Sequence, residues 1–159
     1  MIFLVLGTQK FQLNRLLMQV DEYVSAGEIQ TEICAQIGCS DYEPQNFKFF
    51  RFMETQAFET YMDEAELIIT HGGVGTILSA IAKKKPVIVF PRLAKYKEHV
   101  DDHQVEMART FEKKGYVLYC REEDSLPELI RQSASHAFRA YVSETENIVG
   151  IINDFIDSH

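Results

Sequence analysis

The stretch Glu66-Leu67-Ile68-Ile69-Thr70 is a β-type apolar run that meets His71-Gly72-Gly73-Val74-Gly75-Thr76 with no spacer between them. Behind the glycines, Ile77, Leu78, Ile81 and Ala82 recur at helical spacing, so the sequence predicts a strand, a glycine turn and a helix in succession. Glycine permits a tight passage from strand to helix. Amides exposed at such a helix start hold phosphate oxygens without requiring a positively charged protein. A nucleotide diphosphate suits this loop, although glycines that merely shape a βα turn would leave the same trace. The Gly-Lys-Ser/Thr ending of a nucleoside triphosphatase loop is missing, and the spacing is not that of a dinucleotide fold. Kinase, ATPase and ordinary dehydrogenase readings lose support accordingly.

Working outward, Pro86-Val87-Ile88-Val89-Phe90-Pro91 reads as the next strand and Met1 to Leu6 as the first. Such unbroken apolar runs suit parallel strands covered by helices on both faces. The Met1–Leu6 run lacks a basic leader and is too short for a signal peptide. Leu13, Leu16, Leu17, Val20, Tyr23 and Val24 mark a helix that Gly27 stops. A second strand is expected from Ile29 to Ile37, with Ile29, Thr31, Ile33, Ala35 and Ile37 on one side. A connection follows over 39–46, then a short strand from Phe49 to Met53 and a helix from Thr55 to Ala65. Arg92 to Asp102 reads as a polar loop, Val105 to Lys114 as a helix, Val117 to Cys120 as a strand, and Ser125 to Ser133 as a capped helix with Pro127 in its first turn. Helical potential continues from Ala134 to Ile156, weakened by Gly150. Strand and helix alternate, which argues an α/β fold with an open parallel sheet.

A chain of 159 residues suits one domain and is short for two Rossmann-sized lobes with a cleft between them. A reading that needs two lobes takes the second from a partner. With 16 Lys+Arg against 24 Asp+Glu the formal charge is −8, which repels a nucleic-acid backbone, so an anionic ligand has to be held locally. Cys34, Cys39 and Cys120 show neither metal-ligand spacing nor a disulfide framework and read as reduced thiols of a cytosolic protein.

Gly7-Thr8-Gln9 follows the first strand, on the side where open α/β sheets bind ligands, so Thr8 can contact a diphosphate and Gln9 can orient the turn. Asp101-Asp102-His103-Gln104 precedes a helix. Gln104 both donates and accepts hydrogen bonds, which suits sugar hydroxyls, and His103 suits phosphate or sugar. A metal set from His99, Asp101, Asp102 and His103 has no compelling ligand spacing, and carboxylates at a helix start are commonly caps. No serine lies in a Gly-Xaa-Ser-Xaa-Gly setting, and the adjacent pairs Asp101/Asp102 and Glu122/Glu123 do not make a glycosidase acid and base. Glu122-Glu123-Asp124 and Lys83-Lys84-Lys85 read as solvated faces.

Taken in order, Gly7-Thr8, Thr70 to Thr76, Lys85 to Pro91 and Asp102-His103-Gln104 resemble the C-terminal, donor-binding half of family 28 glycosyltransferases over roughly residues 1–135. The pattern is most similar to the small catalytic subunits of split enzymes: those of bacterial capsule or exopolysaccharide synthesis and of eukaryotic chitobiosyl-lipid synthesis. The resemblance implies a Rossmann-like half of a GT-B glycosyltransferase spanning 1–159, with 134–159 a helical segment available for partner contact. It implies a UDP-sugar donor held by Gly7, Thr8, His71, Gly72, Gly73, Gly75 and Thr76, with no metal and no separate cofactor. His103 and Gln104 fall on the family's histidine-glutamine feature and would act on the donor sugar. Many relatives place a ribose-contacting glutamate where this chain has Ser79, which retains one hydroxyl in place of a carboxylate. The implied partner is a membrane-associated, acceptor-binding subunit that recruits the chain to the cytoplasmic face of the membrane. The implied acceptor is a polyprenyl-diphosphate-linked sugar. A non-catalytic nucleotide-sugar module and a purely structural subunit are the competing readings.

Overall fold

The computed structural model describes residues 1–140. Alternation along the first strand, β1 (Ile2–Val5), decides how the layers assemble: Ile2 and Leu4 enter one core, Phe3 and Val5 the other. Parallel to β1 run β2 (Ile33–Gln36) and β4 (Leu67–Thr70), with Ile2 opposite both Ile33 and Leu67. The edge strand β3 (Lys48–Phe50) pairs with β2, and on the other side β5 (Val87–Val89) and β6 (Leu118–Tyr119) complete a six-stranded sheet. All five pairings are parallel and the order is β3-β2-β1-β4-β5-β6. The chain thus winds one way from β1 and then the other from β4, and the carboxyl ends of those two strands flank the crevice where such sheets take ligands.

Helices cover both faces. α1 (Asn14–Ser25) and α5 (Leu126–Ser133) pack on the Ile2/Leu4 side, through Leu16, Leu17, Val20 and Leu126. α2 (Thr55–Glu64), α3 (Val74–Ala82) and α4 (His103–Lys113) pack on the Phe3/Val5 side, through Met62, Ile77, Ala80, Ala108 and Phe111. This is a parallel α/β sheet with helices on both faces, the Rossmann-like arrangement expected from the sequence. Two fully covered faces explain why the strands lack polar alternation.

Three expectations need correction. The second ladder is four residues long because the chain turns at Gly27 (φ +79°) and bends through 29–32 before joining the sheet. Ile29, Ile33, Ala35 and Ile37 nevertheless share one core, as their spacing implied, while Thr31 is exposed. The edge strand lies at 48–50 rather than 49–53. Helical structure stops at Ser133: the Ser133 hydroxyl donates back to the Ile130 carbonyl at 2.6 Å, that of Ser135 to Gln132 at 3.4 Å, and residues 136–140 run non-helically. The remainder of the expected helix, from 141 onward, lies outside the described residues.

The segment from Arg92 to Asp102 is also more than a polar loop. It contains a 3-10 turn at Ala94–Tyr96 and buries both Arg92 and Glu98 to 1% exposure. Glu98 accepts two hydrogen bonds from the Arg15 guanidinium, at 3.0 and 2.9 Å, and one from the Leu93 amide at 2.9 Å. Its charges face inward because each has partners there.

Candidate functional site

A cleft of about 350 Å³ opens at the carboxyl ends of β1 and β4. Gly7, Thr8 and Gln9 form one wall, His71 to Thr76 the other, and His99, His103, Gln104 and Met107 close the side. Nine of the ten residues that the resemblance points to for the donor site therefore converge: Gly7, Thr8, His71, Gly72, Gly73, Gly75, Thr76, His103 and Gln104. Ser79 does not line the cleft. It lies half-buried on α3, one turn beyond Gly75, at 79 in the helix. Met107 joined the wall without any chemical signature in the sequence.

The wall after β4 ends in the N-terminus of α3. Its N-cap is Gly73, no side chain caps it and its first turn holds no acidic residue. The first intrahelical bond is Ile77 N–H to the Gly73 carbonyl, so the amides of Val74, Gly75 and Thr76 precede the helix's own ladder. Such a terminus carries partial positive charge suited to an oxyanion. The contrast with α4 is instructive. There the Asp101 carboxylate accepts the His103 amide at 3.0 Å and sits 3.2 and 3.1 Å from the Nδ1 atoms of His99 and His103. The His103 amide above all, helped by the two imidazoles, holds the Asp101 carboxyl below the usual carboxylate range although burial opposes it. An anion at that terminus would meet a carboxylate already in place. Asp101 precedes the N-cap residue Asp102 and takes up the first amide of α4, and among the described residues no group of three or more His, Cys, Asp or Glu is arranged to hold a metal ion.

His71 is the pivot between the walls. Its ring lies so close to both glycine turns that a Cβ on Gly7 would come within 2.7 Å of Nε2, and one on Gly73 within 2.6 Å of Cε1 and 2.8 Å of Nε2. Gly72, at φ +98°, has Gln104 packed against it. Gly75 is different: nothing lies within 4 Å of an added Cβ, so the protein itself does not require a glycine there. Burial, then the Arg92 charge, push the His71 imidazole down to about 3, so the ring is neutral at ordinary pH.

Behind His71, the guanidinium of Arg92 lies 2.7 Å from Nδ1 and donates to the carbonyls of Leu6, Phe11 and Gln12 at 2.7, 3.1 and 3.3 Å. The Arg92 amide donates to Gln104 Oε1 at 3.1 Å, leaving the carboxamide NH2 as the donor end of that side chain. One residue thus ties together the loops after β1, β4 and β5 and the first turn of α4. Sequence reading missed Arg92, because an arginine in a charge-rich stretch ordinarily marks solvent.

A larger pocket of about 590 Å³ lies beyond β5, lined by Arg15, Lys95, Arg109, Arg121, Glu122 and Glu123 among others. Its cations are largely satisfied within the protein: Lys95 pairs with Glu122 at 2.6 Å, Arg121 with Glu112 at 2.7 Å and Arg15 with Glu98 at 2.9 Å. The smaller cleft has the better anion chemistry, with helix amides offered by α3 and no carboxylate capping them. Glu122 also accepts from the Tyr96 hydroxyl at 2.6 Å, so it is bound into this wall and does not simply face solvent.

Comparison with known proteins adds an independent line. The human UDP-N-acetylglucosamine transferase subunit ALG13 is 27% identical over 128 residues, 75% of this chain and 11% of that protein. A Streptococcus thermophilus UDP-N-acetylglucosamine–N-acetylmuramyl-(pentapeptide) pyrophosphoryl-undecaprenol N-acetylglucosamine transferase is 35% identical over 92 residues, 58% of this chain and 24% of the enzyme. The chain thus spans a quarter or less of these two relatives. Among solved structures, the NMR structure of ALG13 superimposes with a TM-score of 0.59 at 21% identity, covering 92% of this chain and 91% of that one. Acinetobacter baumannii MurG gives a TM-score of 0.54 at 19% identity, covering 83% and 40%. Both share the fold. The family model for the glycosyltransferase family 28 C-terminal domain matches residues 1–157, a span that includes both walls of the cleft, and the chain belongs to this family.

Proposed function

We propose that the chain is the donor-binding, catalytic subunit of a two-component glycosyltransferase, moving a hexose or N-acetylhexosamine from a UDP-sugar to a lipid-linked sugar in bacterial surface-polysaccharide synthesis. The observation that carries this reading is the uncapped N-terminus of α3, set across the cleft from the Gly7 turn with a neutral His71 between them. A diphosphate fits that arrangement. The name of the ALG13 relatives, a UDP-N-acetylglucosamine transferase subunit, supports both the donor class and a partner. The acceptor half and the membrane contact belong to that partner, which brings the chain to the cytoplasmic face. Among the described residues no helix is long and apolar enough to cross a membrane.

The reaction is a displacement at the anomeric carbon. An acceptor hydroxyl oxygen forms the new bond, the bond to the diphosphate oxygen breaks, and the electron pair leaves with UDP. The amides of Val74, Gly75 and Thr76 face the oxyanions that gain charge, where fixed donors act most strongly. Gln104 turns its carboxamide NH2 to the sugar hydroxyls and His103 lies beside it, both fixed by the first turn of α4. The hydroxyl proton passes to a base on the acceptor half.

Calorimetric titration of the purified chain with UDP tests this. Saturable binding is expected, reduced at least about tenfold by Thr76→Asp, because a carboxylate in the first turn of α3 repels the diphosphate. The same change favours the helix by about 0.3–1 kcal/mol, so weaker binding cannot be ascribed to unfolding. UDP binding indifferent to Thr76→Asp, or no binding at all, contradicts the assignment. Binding without sugar transfer after reconstitution with the partner subunit identifies a non-catalytic module.

A further inference from the structure

Arg92 is 1% exposed, yet among the described residues no carboxylate touches its guanidinium; its partners there are three backbone carbonyls and His71 Nδ1. A guanidinium has donors only and stays protonated. A nitrogen 2.7 Å from such a donor must be the accepting nitrogen of the imidazole. A neutral ring carries a single hydrogen, which then sits on Nε2, the atom flanked by Gly7 and Gly73. The hydrogen bonds to Leu6, Phe11 and Gln12 fix where the guanidinium stands and draw the loop after β1 toward the loop after β4.

We propose that Arg92 is a positioning residue: it locks His71 in the Nε2–H tautomer and polarises the ring, so that the cleft offers a neutral, oriented N–H donor to a diphosphate oxygen beside the N-terminus of α3. The tautomer follows from geometry alone, whereas its use toward a diphosphate rests on the function proposed above. Loss of hydration on burial and, next, repulsion from the guanidinium at contact distance both disfavour an imidazolium, as does the nearby His99, and together they outweigh the hydrogen bond with the Gln104 side chain that would favour it. The arrangement supplies donors to an anion in a chain of net charge −8 without placing a mobile cation in the cleft. A neutral donor fixed in advance needs no reorganisation as charge develops on a leaving group.

Two measurements decide it. The first is the imidazole nitrogen spectrum of the full chain labelled with 15N-histidine, recorded without ligand from pH 5 to 8. His71 is expected to show a protonated Nε2, an unprotonated Nδ1 and no titration over that range. An Nδ1–H tautomer, or a ring that becomes doubly protonated, overturns the proposal whether or not UDP binds. The second is a double-mutant cycle on UDP affinity with Arg92→Met, His71→Ala and the double variant. Each single change is expected to weaken binding about tenfold, as loss of a hydrogen bond to a charged group does. If Arg92 acts through His71, the double variant binds no worse than His71→Ala, and Arg92→Lys restores part of the loss by supplying one donor to Nδ1.

Multiplicative losses in the cycle, about a hundredfold together, overturn the proposal and reduce Arg92 to a staple between loops. A folded Arg92→Met variant with wild-type affinity overturns it as well. Should Arg92→Met fail to fold, the wild-type spectrum and the Arg92→Lys affinity still decide. A wild-type chain that shows the Nε2–H tautomer but binds no UDP separates the two claims: the functional reading fails and the lock on the ring stands.

Discussion

At the scale of single residues, two glycines of one loop carry different constraints. Gly73 has ordinary backbone angles, but a Cβ there would strike the His71 ring, whereas a Cβ on Gly75 meets open space in the cleft. Gly75→Ala is therefore expected to leave the fold intact and to add about 0.5–1 kcal/mol of stability, because alanine favours a helix over glycine. UDP affinity is expected to fall at least about tenfold, because the methyl group stands where phosphate would approach the amides. Denaturant unfolding and calorimetry on the same protein check both halves. His71 makes a second prediction. Its folded pKa of about 3 lies below the ordinary value of 6.5, so between those values unfolding takes up a proton and stability falls as pH falls. From pH 7 to pH 5 the wild type should lose about 2 kcal/mol more than His71→Gln, measured by urea unfolding of both proteins at both pH values. The histidine and glycines were legible in the sequence because residue type and spacing carry their chemistry. Arg92 was not: its role depends on three loop carbonyls and one ring nitrogen drawn from distant parts of the chain.

At the scale of elements, α1 shows what periodicity captures and what it omits. Leu16, Leu17 and Val20 were identified as its buried face, and they are buried. Asp21, beside them, is 3% exposed and was invisible to a search for apolar spacing. Its carboxylate accepts from the Tyr42 hydroxyl at 2.6 Å, the Gln45 and Asn46 amides at 2.9 and 2.8 Å, and the Asn46 side chain at 3.0 Å. Burial acts to raise its pKa, but these donors prevail and hold the group below the ordinary carboxylate value. This carboxylate fastens the 42–46 connection to α1. Asp21→Ala should cost about 1–3 kcal/mol in denaturant unfolding, because it removes hydrogen bonds to a charged acceptor, while the donors on the half-exposed 42–46 connection can turn to water. UDP affinity should stay close to wild type, since Asp21 lies outside the cleft. Strand ends were less legible for a related reason. Ile29 joins the same core as Ile33 without joining the ladder, so hydrophobic spacing reads the face while backbone pairing sets the element's limits.

At the scale of the molecule, the alternating strands and helices implied a parallel sheet, and the strand order then places the two glycine turns at the point where the winding reverses. Neither turn alone distinguishes a phosphate site from an ordinary βα connection; their opposition across one crevice is what supports the proposed phosphate site. That opposition is a property of topology, available to sequence only through the family resemblance. The structure also offers a rival, the larger charged pocket beyond β5, whose internal ion pairs argue against an anion there. Backbone amide spectra of the 15N-labelled chain titrated with UDP choose between the two most directly. The account predicts saturable shifts concentrated at Gly7, Thr8 and Gly73 to Thr76, with Arg109, Arg121 and Glu123 little changed. Shifts centred on those last three residues, or no saturable shift, would contradict the claim that the α3 terminus holds the donor diphosphate.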